Sequence, residues 1–348
     1  MRVGMIPENP VEWVLNQANV IPFPVADTFV AMIQARTIMA AARLGVFAAL
    51  SNGPATVLDL ARKLSCKERG IKALLDALVG CGYAVESQGR YRLSRRARKW
   101  LGTDSPHSII HYINFKYYTW DWLGRLEEAV QSGMGLDLHH RLLDIEGWRS
   151  YLYGLHELSR MAAKEMLLRF RLKRSDKRLL DIGGGPGAYT AAYCRRYPNL
   201  RAVIFDLPQA VNVGKEIIGK KYQDVADRIE FVQGDLLKDP FGGGYDVVFL
   251  FNVIHHFSHQ ENRQTFKKVY DALNPGGTFV ILDQLKQATR ADSYLAVLTQ
   301  LMFLMTSRSE SHGLDDVRHW LREIGFSDVR SKGLLIGPGT SFVTATKK

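Results

Sequence analysis

The sequence predicts an α/β protein: a parallel sheet covered by helices on both faces, preceded by a mostly helical domain. Three observations predict it. From Arg178 onward, short apolar runs alternate with helical segments, the pattern of parallel strands buried on both faces. Within that region Arg178-Leu179-Leu180-Asp181-Ile182 runs into Gly183-Gly184-Gly185-Pro186-Gly187 and then a helix-like segment from Tyr189 to Tyr197, which reads as strand, tight turn and helix. The residues before it read instead as helices with a single pair of short strands.

The chain has 348 residues, too many for one ordinary core, so two domains are expected. Residues 1 to 24 are proline-rich and irregular. Val25 to Leu50 has helical periodicity and so few polar residues that it is expected to be buried on several sides, which calls for a partner subunit. Thr56 to Leu64 and Lys67 to Val79 read as two short helices. Tyr83 to Ser87 and Arg90 to Ser94 read as two strands joined through Gln88-Gly89. Helix, helix and hairpin is a winged-helix plan. The second helix offers no Asn, Gln or Ser for base edges, so a packing module is favoured over a DNA reader. Ser108 to Ser132 and Trp148 to Phe170 are aromatic-rich, suited to a core or to a pocket for a flat apolar molecule.

The strands of the second half are read at Arg178 to Ile182, Ala202 to Phe205, Ile229 to Gln233, Asp246 to Phe251 and Phe279 to Leu282. Two more, Asp328 to Lys332 and Ser341 to Thr346, have no helix between them and are expected to be antiparallel. Ligands bind at the carboxyl ends of parallel strands. Asp181, Asp206, Asp235, Asn252 to His256 and Asp283 fall there.

The formal charge of +11 admits nucleic acid, an anionic substrate or a basic surface. The basic clusters Arg95 to Lys99 and Arg171 to Arg178 are short and read as solvated faces. Three scattered cysteines argue against a disulfide framework and a zinc site, and no histidine pair has metal-ligand spacing, so no metal is expected. No basic start precedes an apolar core at the N-terminus, and the most apolar stretch, read as Thr37 to Leu50, is too short to cross a bilayer. A cytoplasmic protein without a membrane span is expected.

Gly183-x-Gly185-x-x-Ala188 also fits a dinucleotide fingerprint. Asp181, just before the glycines, would meet a pyrophosphate with negative charge, whereas it suits a ligand with a cationic amine. That loop, followed by Phe205-Asp206-Leu207-Pro208, Gly234-Asp235-Leu236, Asn252-Val253-Ile254-His255-His256-Phe257 and Leu273-Asn274-Pro275-Gly276-Gly277, resembles the class I S-adenosylmethionine-dependent methyltransferases. More narrowly it is similar to the metal-independent small-molecule O-methyltransferases of plant phenolics and bacterial polyketides. The resemblance covers nearly the whole chain.

The resemblance implies a Rossmann-like seven-stranded sheet over residues 171–348, a winged-helix-like dimerisation domain over 1–105 that does not read DNA, and a helical connector over 106–170. It implies S-adenosyl-L-methionine as cofactor, a small-molecule acceptor and a homodimer. Asp181, Gly183 and Gly185 would frame the methionine part, with Ser159 on its carboxylate. Asp206 would meet the ribose and Asp235 the adenine edge, and Leu207, Gly234, Leu236 and Asn252 are further cofactor-binding candidates. His255 aligns with the family's catalytic base, Asp283 with the carboxylate that holds it, and Glu310, about one residue out of register, with a second carboxylate. His256 stands where the family has an acid or amide. Tyr112, Phe115, Tyr151, Leu155 and Met302 are the candidate acceptor pocket. The expected reaction is methyl transfer to a hydroxyl of an aromatic or conjugated molecule. Methylation of nitrogen or carbon, or non-methylating use of the cofactor, stays open within the fold. A winged-helix DNA-binding regulator with a nucleotide-like ligand and an NAD-dependent oxidoreductase are the alternatives from other classes.

Overall fold

The computed structural model describes residues 7, 9–18, 20, 22–135, 144–286, 294–307, 312–333 and 340–348. It divides into two compact units, 1–118 and 119–348, the division falling inside the helix Ile110–Leu123.

In the first unit, Thr56 caps the helix Val57–Lys63, its hydroxyl accepting from the Asp59 amide while the Asp59 carboxylate accepts from the Thr56 amide. The second helix, Glu68–Gly80, buries Ile71, Leu75 and Leu78 at helical spacing. The sheet holds three strands: β1 (Ala55–Thr56), β2 (Ala84–Ser87) and β3 (Arg90–Leu93), in the order β1-β3-β2. The two-residue β1 is too short to carry a periodic signal and was not expected. The basic cluster after β3 is a helix, Arg95–Leu101, capped by Ser94; it buries Ala97 and Leu101 and leaves its arginines in water.

The stretch expected as one helix over Val25 to Leu50 is broken. A π-helical turn, Ala26–Val30, leads into the helix Ala31–Arg43; the chain turns at Leu44-Gly45 and resumes as Val46–Ser51. This chain leaves the first half of the stretch uncovered: Val25, Phe29, Val30, Met32 and Ile33 all face solvent. The continuous helical run Phe23–Arg43, 21 residues long, has the length and composition to cross a membrane.

The second unit is built on seven strands: β4 (Arg178–Ile182), β5 (Arg201–Asp206), β6 (Ile229–Gln233), β7 (Tyr245–Phe251), β8 (Leu273–Gln284), β9 (Phe326–Gly333) and β10 (Thr340–Lys347). Their order is β6-β5-β4-β7-β8-β10-β9. β4 to β8 are parallel, and β10 runs antiparallel to both of its neighbours, β8 and β9. β8 is longer at both ends than the Phe279–Leu282 core read from its apolar residues. The central strands are buried on both faces, with Leu179, Leu180, Val247, Val248, Phe249 and Leu250 excluded from solvent. That is why they read as continuous apolar runs. One core cluster packs on the helices Ile145–Arg169, Ala188–Arg196 and Pro208–Lys221, the other on His259–Ala272 and Leu314–Ile324. The strand order reverses between β4 and β7, so the crevice for a ligand opens at the carboxyl end of β4.

Candidate active site

Register brings the site residues into one row. Ile182 lies opposite Phe205 of β5 and Leu250 of β7, and Phe251 opposite Leu282 of β8. The next residues of each strand therefore emerge side by side: Asp235 after β6, Asp206 at the end of β5, the glycine loop after β4, Asn252 to His255 after β7, and Asp283 at the end of β8. Five adjacent strands make this row about 19 Å long.

The loop after β4 takes left-handed backbone at Gly183, Gly185 and Gly187, conformations that an L side chain resists. The amide of Gly185 donates to Oδ2 of Asp206 at 2.8 Å, and the amide of Leu207 donates to Oδ1 at 2.8 Å. Burial pushes the Asp206 carboxyl up to about 6 against these two donors. Asp181 is almost wholly buried, and Thr190, one helical turn into the following helix, donates to its Oδ2. Burial first, and the charge of Asp206 after it, push Asp181 up to about 7, with the Thr190 bond opposing. Its Oδ1 is buried with no hydrogen-bond partner among the described residues. A carboxylate oxygen in that state calls for a donor or a cation. These features fit S-adenosylmethionine, whose ammonium, sulfonium and ribose hydroxyls supply both.

Sequence reasoning missed Gly214, Thr190 and the proximity of Tyr151 to this end of the site. A Cβ on Gly214 would stand 2.6 Å from the Gly185 carbonyl oxygen, so this helical glycine lets the helix Pro208–Lys221 approach the loop. Tyr151 feels the charge of Asp206 and, mainly through burial, its phenol is raised. Leu152 beside it comes within 3.3 Å of a Cβ placed on Gly185.

The other predicted residues are placed as follows. Gly234 packs against the Phe205 ring and donates to the Asp206 carbonyl. Asp235 closes its own turn, accepting from the Leu237 amide at 2.9 Å and pairing with Lys238 at 2.9 Å. The Leu236 carbonyl accepts from Lys268. Ser159 donates back into its own helix, to the Leu155 carbonyl at 2.7 Å, so its proton is already used. Asn252 holds left-handed backbone, which asparagine tolerates better than most residues. Tyr112 and Phe115 lie in the first unit; Tyr151, Leu155 and Met302 lie in the second. Glu310 lies outside the described residues.

His255 sits in a 3-10 turn, Ile254–His256, between β7 and the helix His259–Ala272, whose N-terminus is closed by a reciprocal Ser258–Glu261 capping box. Its Nδ1 lies 2.7 Å from Oδ1 of Asp283, which is fully buried and also accepts from the Gln284 amide at 2.7 Å. Phe303 stacks on the ring at 3.7 Å, and the tilted ring of His256 packs beside it at 4.1 Å. Its Nε2 makes no hydrogen bond among the described residues. Phe303 was missed, although it lies beside Met302, one of the candidate pocket residues.

Comparison with known proteins shows the family. The O-methyltransferase domain family matches residues 129–327, and the O-methyltransferase dimerisation domain matches residues 27–103. The chain is 28% identical, over 94% of its length and 95% of the relative's, to a 3-hydroxy-5-methyl-1-naphthoate 3-O-methyltransferase of Streptomyces sahachiroi. It is 26% identical, over 92% and 95%, to the tetracenomycin polyketide synthesis 8-O-methyl transferase TcmO of Streptomyces glaucescens. Its fold matches the crystal structure of human N-acetylserotonin methyltransferase in complex with S-adenosylmethionine, with a TM-score of 0.82 at 23% identity and 99% coverage of both chains. The chain belongs to the O-methyltransferase family, and it is an S-adenosylmethionine-dependent methyltransferase.

Proposed function

We propose that the protein methylates a hydroxyl of a flat aromatic or conjugated small molecule, with His255 as general base and Asp283 as the residue that orients it. The observation that carries this reading is the 2.7 Å contact between His255 Nδ1 and Asp283 Oδ1 beside the cofactor end of the sheet. The cofactor, when bound, supplies a methyl group on a sulfonium. A phenol has a pKa near 10 and is a poor nucleophile until its proton leaves. With Nδ1–H donated to Asp283, the lone pair of His255 lies on Nε2, where it takes that proton, and Asp283 stabilises the imidazolium. Phe303 and His256 restrict rotation of the ring. Asp206 and Leu207 meet the ribose; Asp181, Gly183 and Gly185 frame the methionine part; Gly234, Asp235 and Leu236 border the adenine.

The acceptor is a fused-ring phenol. The naphthoate and polyketide acceptors in the names of the two relatives support this class, and the +11 charge accommodates an acidic group on it. Tyr151, Leu155 and Met302 are its proposed contacts from the second unit. The first domain pairs two copies through the exposed apolar face of Phe23–Arg43, which overlaps the matched dimerisation segment, and acts as a packing module that reads no DNA.

The test uses methyl-labelled cofactor with a panel of hydroxynaphthoates. Labelled methyl ether is expected, and His255→Gln is expected to lower kcat by about 10²–10⁴-fold. Affinity for S-adenosylhomocysteine stays unchanged in that variant. Full turnover by His255→Gln, or label found only on nitrogen or carbon when such acceptors are added, overturns the reading.

A further inference from the structure

The turn that presents His255 is held by two buried side chains, Asn262 from the helix that follows it and His312 from more than fifty residues further along the chain. Asn262, in the helix His259–Ala272, donates from Nδ2 to the carbonyls of Ile254 at 2.9 Å and Phe257 at 3.0 Å. His312 aims its Nε2 at the same two oxygens, at 3.0 Å and 2.8 Å. Those carbonyls bracket His255 and His256, and the short 3-10 turn gives them only one backbone bond of its own, a long one of 3.3 Å from the Phe257 amide to the Ile254 oxygen.

Nε2 faces the two carbonyl acceptors and, at 3.0 Å, the Asn262 Nδ2 group; with Asn262 donating to the carbonyls, the acceptors favour the tautomer with the hydrogen on Nε2. The ring is then neutral with a bare Nδ1, which is buried and has no hydrogen-bond partner among the described residues. Burial also holds the His312 pKa below the ordinary histidine value, consistent with a ring that stays neutral. His259 at 4.9 Å and Trp320 at 5.6 Å wall it in.

The backbone of His312 makes a second connection. Its carbonyl accepts from the Lys286 amide at 2.9 Å, and the Lys286 carbonyl accepts from the Leu314 amide at 2.9 Å. Lys286 follows Asp283 by three residues. One residue thus grips the His255 turn with its side chain and the segment after Asp283 with its main chain.

We propose that His312 is a positioning residue for the reaction, assisted by Asn262: it fixes the spacing between His255 and Asp283 and so holds the base in its Nδ1–H tautomer. This rests on the reading of His255 as the base. Loss of the His312 ring removes one of two side-chain donors from each carbonyl, leaves Asn262 alone to serve both, and empties the space behind the turn, so the turn loosens.

The experiment reads His255 directly, without an acceptor substrate. The full chain is labelled with ¹⁵N in its histidine rings, His255→Gln assigns the His255 signals, and S-adenosylhomocysteine is the binding probe. The parent is expected to show a single Nδ1–H tautomer at His255. His312→Leu is expected to mix the tautomers and exchange that proton with solvent roughly tenfold faster or more, the signature of a locally opened turn. Affinity for S-adenosylhomocysteine should stay within about twofold of the parent, since local opening leaves the rest of the unit folded. His312→Gln, which keeps an N–H donor, is expected to restore the parent spectrum. Where His312→Leu fails to fold, Asn262→Ala is read in the same way, with faster exchange expected. An unchanged His255 proton in the folded variant, a His312→Gln spectrum as disturbed as that of His312→Leu, or a parallel loss of probe affinity overturns the proposal. Turnover of His255→Gln is a separate measurement, so failure of the base and failure of the positioning are told apart.

Discussion

Asp181 and Asp206 are two carboxylates that the fold makes costly to ionise. Their folded pKa values, about 7 and about 6, lie above those of the unfolded chain. The folded protein without ligand therefore holds protons that the unfolded chain releases, and their contribution makes the fold less stable as pH rises from about 4 to 7. A ligand that donates hydrogen bonds and carries positive charge reverses the preference by favouring the ionised forms. Affinity for S-adenosylhomocysteine, followed by calorimetry, is thus expected to fall by roughly tenfold between pH 8 and pH 5.5, with proton release on binding near pH 6.5. Asp206→Asn is expected to bind more weakly and to flatten that dependence, and an affinity constant across the range contradicts the assignment. Both aspartates were legible in the sequence because each ends an apolar run. The role proposed for His255 came only through resemblance. Thr190, Phe303, Asn262 and His312 were not legible as site residues: the contacts of Phe303, Asn262 and His312 with the His255 turn cross from 5 to about 60 residues of chain and leave no periodic trace.

At the scale of elements, the strands were readable because double-sided burial demands unbroken apolar runs, and the glycine loop because left-handed backbone demands glycine. The order of the strands was not readable, since hydrogen-bonded neighbours are chosen by packing across the whole sheet. The close approach of the helix Pro208–Lys221 is a second such feature. Gly214 stands in a helix, where glycine is ordinarily a weakness, and only its distance from the Gly185 carbonyl explains it. Gly214→Ala is expected to cost about 1–3 kcal/mol of stability despite alanine's better helix propensity, because the methyl must displace either the loop or Phe231. Thermal unfolding checks the sign: a stabilised variant shows that the helix can shift without disturbing the loop. Weakened S-adenosylhomocysteine binding is expected alongside.

For the whole molecule, the exposed apolar run Phe23–Arg43 is the feature that a single chain does not explain. Val25, Phe29, Val30, Met32 and Ile33 lie together in water, a density of large apolar side chains that marks an interaction surface. The sequence showed the apolar character but not the exposure, because periodicity records that a face must be covered and not by what. Phe29→Glu with Ile33→Glu is expected to shift sedimentation from dimer to monomer, since a charge placed in an apolar contact has no partner there. A parent that sediments as a monomer removes the assignment of this face to a second copy.

The placement of β10 has a consequence for how the protein is made. Thr340–Lys347 is the last of the described strands to be synthesised, yet it is inserted inside the sheet, between β8 and β9. Until it has left the ribosome, β8 carries an open edge along the residues that pair with it, from Thr278 to Gln284, with Asp283 among them. An open edge of that kind is a template for unwanted pairing. The nascent chain thus completes its cofactor-side strands early, while the strand that bears the carboxylate partner of His255 waits for β10 to seal it.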